Sequence, residues 1–145
     1  MRRFRLWLRG VFRGWTKEEA VEWILKPTDV RKALWNHKPE LWDGYYRGDP
    51  WHGSLEFTLT ASKLLEAASE FYPDRKYDHN ILELRRGKGG HAALYGMNKN
   101  GTIWYVDIGG TGKAKSEHHL MVRLSKNYGL GMHDCQIKLT PHTEI

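Results

Sequence analysis

Apolar and polar positions alternate most regularly between Asn80 and Ile108, where two short Gly-bearing breaks divide the chain into three strand-like runs, 80–85, 90–97 and 102–108. The same alternation predicts two further strands at His118–Leu124 and His133–Leu139, with Gly-rich loops at Gly109–Ser116 and Asn127–Met132 between them. Upstream the period changes. Thr16-Lys17-Glu18-Glu19 is a capping-box sequence, and the apolar positions Ala20 to Leu25 carry a short helix from it toward Pro27. Thr28 or Asp29 can cap a second helix over Val30–Trp35, and Pro39 can open one more turn. Leu55, Phe57 and Leu59 alternate with Glu56 and Thr58 as a strand does. Thr60 then caps the clearest helix, Ala61–Tyr72, whose Leu64, Leu65, Ala68 and Phe71 share one stripe and which Pro73 ends. The elements predict an α+β domain in which short N-terminal helices and one longer helix pack on a mainly antiparallel sheet of about five strands.

The turn at Asn98-Lys99-Asn100-Gly101 sets the register of the central hairpin. A two-residue turn centred on Asn100-Gly101 would put His91 and Asp107 on opposite faces of the sheet. A type I turn followed by Gly101 in the left-handed bulge position sets Asn98 opposite Thr102 and Ala93 opposite Asp107. His91 and Asp107 are then diagonal neighbours on one face, roughly 7 to 8 Å apart at Cα. The bulged form is favoured, because it gathers Leu94, Thr102, Trp104, Val106 and Ile108 on one core-facing surface and leaves His91, Tyr95, Tyr105 and Asp107 on the other.

A chain of 145 residues suits one domain with one packed core, and its 7 Trp, 7 Tyr and 4 Phe supply much of the burial. Its apolar runs are too short to span a bilayer, so a soluble protein is expected. The single cysteine, Cys135, excludes an internal disulfide and makes a thiolate metal site a poor fit, which points to a reducing, cytoplasmic setting. Charge divides the chain more sharply than composition does. The formal +6 resides in two islands: residues 1–15 hold five Arg and no acid, and residues 85–115 hold six basic side chains against one acid. The segment between them is acidic, with nine basic and thirteen acidic residues. Two separated islands suggest a localised anion contact rather than a uniformly basic coat. The first island is a basic arm, either a short strand or an amphipathic helix, that contacts phosphates or packs with its guanidiniums in water.

In an uninterrupted meander the turns at 86–90 and 109–117 share one sheet end. Arg85, Arg86, Lys88, Lys113 and Lys115 then form a single patch, with His91, Asp107 and the C-terminal His142 beside it. A carboxylate accepting one imidazole N–H orients the ring and raises its basicity, which makes His91 and Asp107 the candidate catalytic pair. Clustered cations can hold a phosphate, so a nucleic acid is the expected partner, bound and hydrolysed at this patch. No cofactor is called for. Gly109–Ser116 lacks the spaced first glycine and the following hydroxyl of a P-loop. His118, His119, His133 and Cys135 match a metal set in composition alone, and the meander would hold His118 and His133 about 20 Å apart. The segment Trp42–Gly53 interleaves aromatic and turn residues in a way that suits either a stacking surface or a cover for the core edge.

Gly90-His91-Ala92-Ala93-Leu94 and Trp104-Tyr105-Val106-Asp107, preceded by a helix and joined by a Gly-bearing turn, resemble the His and Asp strands of the papain-like and transglutaminase-like thiol enzymes. The resemblance covers 53–108. It implies that His91 is the base and Asp107 its orienting partner, in a protein that acts on protein amides or in a catalytically inactive relative. The family's nucleophilic Cys belongs at the start of the preceding helix, where this sequence has no Cys; His52-Gly53-Ser54-Leu55 precedes that region instead. A purely interacting protein module is the further alternative.

Overall fold

In a computed structural model, the residues described are 14–75, 77–130 and 136–141. The basic arm up to residue 13, His133, Cys135 and His142 fall outside them. Among the described residues four α-helices precede the sheet: α1 (Lys17–Trp23), α2 (Val30–His37), α3 (Glu40–Arg47) and the long α4 (Pro50–Phe71). They are followed by strands β1 (Asn80–Arg86), β2 (Gly89–Met97), β3 (Ile103–Asp107) and β4 (Gly110–Ala114), then helix α5 (Glu117–Asn127) and strand β5 (Gln136–Pro141). The architecture is α+β, with an antiparallel sheet in the order β4-β3-β2-β1-β5. No helix among the described residues is long and apolar enough to cross a membrane.

The capping box at Thr16 forms as the sequence expects, with the Thr16 hydroxyl accepting from Glu19 N and the Glu19 carboxylate accepting from Thr16 N. Three other expectations are corrected. The alternating run Leu55–Leu59 is helical, because α4 starts earlier, at Pro50, with Asp49 capping Trp51 N. Pro at the first helical position costs no hydrogen bond, since that N–H has no intrahelical partner. From there Phe57, Ala61, Leu64, Leu65 and Ala68 form a buried helical stripe, and Thr60, far from being a cap, donates its hydroxyl to Glu56 O within the helix. The second correction is 118–124, which is helix rather than strand. Ser116 accepts from His119 N at its start, and Leu120 and Leu124 fall one turn apart on the buried side. The third is Gly109–Ser116, whose centre is strand β4 and not loop. The sheet has five strands, but β4 stands in the place expected of 118–124, and β5 pairs with β1.

Two apolar layers flank the sheet. Ile81, Leu94, Trp104, Val106 and Ile108 meet the helical layer of α1 to α4 on one face. Leu82, Leu84, Ala93, Tyr95, Ile103 and Ala114 meet Leu120 and Leu124 of α5 on the other. The face expected to be the more polar one is therefore covered as well.

Candidate functional site

The central hairpin takes the bulged register. Asn98 N donates to Thr102 O at 2.7 Å, Gly101 N donates to Asn98 O at 3.0 Å, and Gly101 has φ +87°, a conformation that glycine adopts without strain. The ladder Leu94↔Val106 to Met97↔Ile103 follows. This register brings His91 at the start of β2 to Asp107 at the end of β3, with His91 Nε2 2.9 Å from Asp107 Oδ2. Both residues are only 2% exposed. An ionised carboxylate can only accept, so Nε2 carries the proton and Nδ1 is the ring's basic nitrogen.

Asp107 is held by more than the imidazole. Its Oδ1 accepts from Gly109 N at 2.9 Å and Gly110 N at 2.8 Å, and its Oδ2 also accepts from the Tyr128 hydroxyl at 3.1 Å. Four donors fix this side chain. Tyr128, just beyond α5, lies flat on the His91 ring, with centroids 3.5 Å apart and planes 17° from parallel. Burial first, and then the negative Asp107, push the Tyr128 phenol above its ordinary range. Tyr45 of α3 is raised for the same two reasons in the same order. The β3–β4 turn that carries the two glycine donors is clamped from the helical side: Ile108 O accepts from Arg31 Nε and Nη2 and from the buried indole Nε1 of Trp42. A small polar depression of about 210 Å³ opens beside Asp107, between Tyr105, Gly110, Thr111, Asn127 and Tyr128.

The N-terminal turns of α4 lie against the start of β2. Ser54, fully buried, accepts from Ala92 N at 3.2 Å and donates to Trp51 O at 3.0 Å, so its hydroxyl is committed on both sides. A Cβ on Gly90 would come within 2.9 Å of the Trp51 ring. The first helical residue is Pro50, and Asp49 caps the helix while binding His52 Nδ1 at 2.7 Å. That hydrogen bond lowers the Asp49 carboxyl below its ordinary range.

The expected cationic patch is divided. Arg85, Arg86 and Lys88 stand at the end of the sheet that holds His91 and Asp107. Arg85 lies over the Trp51 ring, 4.2 Å from its centroid, and donates to Gly89 O, while Arg86 donates to Gly129 O. Because β4 is a strand, it carries Lys113 to a position opposite Trp104 and Lys115 beyond Ala114, at the opposite end of the sheet. Pro141 pairs with Asn80 at that far end too. Trp42–Gly53, expected as an aromatic loop, forms most of α3 and the start of α4, with Trp42 buried under Trp35 and Tyr46 74% exposed. Sequence reasoning missed Tyr128 and Pro50. Tyr128 follows Leu124 by one helical turn, and Asp49-Pro50 is a helix-start pair, so both signals were present. No protein-family model, curated protein or solved structure matches this chain.

Proposed function

We propose that the chain is a catalytically inactive relative of the papain-like and transglutaminase-like core, acting by holding a protein partner rather than by turning over a substrate. One observation carries this reading: the long helix that precedes the His and Asp strands starts at Pro50. The likeness puts a thiolate at that helix start, and proline offers no nucleophilic atom. The neighbouring hydroxyl, Ser54, is committed to Trp51 O and Ala92 N. Among the described residues the His91–Asp107 pair has no thiol to serve, and Tyr128 covers one face of the imidazole. In this reading the three side chains knit the sheet end to α5. A protein partner is favoured over nucleic acid because Lys113 and Lys115 stand apart from Lys88, while exposed aromatic side chains such as Tyr46 and the half-exposed Trp35 suit protein surfaces.

The test is turnover by the native chain of a glutaminyl peptide with an amine acceptor, and of an activated acyl ester. The expected result is no turnover that His91→Ala removes, and His91-dependent release of ammonia or alcohol would overturn the proposal.

A further inference from the structure

Away from the His91 end, three helices enclose a cleft of about 230 Å³ lined by Lys17, Leu34, His37, Lys38, Lys63 and Leu64, together with Thr60. Lys63 lies nine residues beyond Ser54 on α4, about two and a half helical turns away. Each of the three lysines comes from a different place: Lys17 from the start of α1, Lys38 from the cap of α2, and Lys63 from the middle of α4. No acidic side chain is among the described residues lining the cleft, and none of the three ammonium groups forms an ion pair among the described residues. Like charges brought around one concavity repel one another, and that arrangement becomes favourable once an anion sits between them.

The other lining groups narrow the ligand. Thr60 has committed its hydroxyl proton to Glu56 O, and His37 Nδ1 lies 2.8 Å from Trp15 O, a carbonyl that can only accept. Neither supplies a neutral donor from those atoms, so recognition falls to the cations. Leu34 and Leu64 close the floor of the cleft but are 0% and 4% exposed, so they offer a ligand little apolar surface. We infer that this cleft binds a small phosphate-bearing anion, its dianionic head held by Lys17, Lys38 and Lys63. The inference is independent of how His91 and Pro50 are read.

The probe is phenyl phosphate, titrated into the full chain at low ionic strength and followed by amide chemical shifts. Saturable shifts confined to the α1 start, the α2 end and residues 60–64 are expected, with inorganic phosphate giving the same shifts and phenol silent over the same range. Lys38→Glu and Lys63→Glu should each weaken binding on the order of a hundredfold, from the Coulomb energy of replacing an attractive charge by a repulsive one about 5 Å from a dianion in water. Lys99→Glu, at the exposed tip of the β2–β3 hairpin, should leave binding unchanged. The inference is overturned by the absence of saturable shifts, by phenol binding as well as phenyl phosphate, or by Lys99→Glu weakening binding as much as the cleft variants. Because the substituted side chains are exposed, unchanged helical circular dichroism verifies the fold of each variant.

Discussion

The phenol ring of Tyr128 lies on the imidazole of His91, 3.5 Å between centroids, and its hydroxyl reaches the same Asp107 oxygen that accepts from His91 Nε2. One side chain thus shields the ring and competes for its partner. Tyr128→Phe keeps the stacking and removes a hydrogen bond to a carboxylate, so a loss of about 1.5 kcal/mol in denaturant unfolding is expected. Tyr128→Ala uncovers the imidazole. Carbethoxylation of His91, followed by peptide mass, should be slow in the native protein and in Tyr128→Phe but fast in Tyr128→Ala. Equal rates in all three would show that Tyr128 does not guard the ring.

Asp107 is the acceptor for four donors from three segments, and none of those donors has an obvious alternative if the carboxylate is removed. Asp107→Ala should therefore cost about 3 kcal/mol, the penalty of leaving the buried His91 N–H and the partly buried Gly109 and Gly110 N–H groups unpaired. His91→Ala leaves the carboxylate with three of its donors and should cost less. A double-mutant cycle between the two positions, read by urea unfolding, is expected to show coupling of about 1 kcal/mol or more. Additive losses would mean that the 2.9 Å contact contributes nothing specific.

The juxtaposition of His91 and Asp107 was legible in the sequence because two independent signals agree on one register. Asn98-Lys99-Asn100-Gly101 admits a bulged turn, and only that turn keeps Leu94, Trp104, Val106 and Ile108 on one face. The α5 segment was misread for a physical reason. His118 to Leu124 holds good helix formers in Leu120, Met121, Arg123 and Leu124, but Leu120, Val122 and Leu124 also alternate as a short strand would. The Ser116 cap decides it. The reading of Gly109–Ser116 as a loop moved Lys113 and Lys115 to the wrong end of the sheet, because its centre is strand β4. The strand expected at Leu55–Leu59 failed similarly: three alternating apolar residues were weighed above Asp49-Pro50, a cap and first-turn pair that starts a helix of 22 residues.

Gly96 is required by the ring opposite it. A Cβ there would lie 2.5 Å from Trp104 Cζ2, inside contact distance, and Trp104 is a buried member of the helical-side core. Gly96→Ala should destabilise by about 1 to 3 kcal/mol through displacement of the indole, visible as a shift in tryptophan near-ultraviolet dichroism. Gly44 in α3 is the opposite case, with no atom within 4 Å of where an alanine methyl would sit and no left-handed backbone. Gly44→Ala should stabilise by about 0.5 to 1 kcal/mol, since alanine gains the helix-propensity difference. Thermal unfolding of both variants separates a glycine kept for space from one that is not.

The raised Tyr128 phenol has a consequence for alkaline stability whose sign follows from proton linkage. Its folded pKa stands above the unfolded value of 10.0, by burial first and by the charge of Asp107 second. The folded state therefore retains a proton that the unfolded chain gives up, and stability falls as pH rises above about 10. Below that value the contribution is fully present and flat. Tyr45 and Tyr95 are raised as well, Tyr95 to about 12 by burial and then by Glu117, so the native protein should show a steep alkaline limb. Tyr128→Phe removes one titrating group and should make that limb shallower by up to one proton while leaving the slope between about pH 7 and 9 unaltered. The measurement is urea-unfolding free energy against pH, from about 7 to 11.5, for native protein and variant. Parallel alkaline limbs would show that Tyr128 ionises as readily in the folded chain as in the unfolded one, and that its hydroxyl is not held between Asp107 and the sheet end.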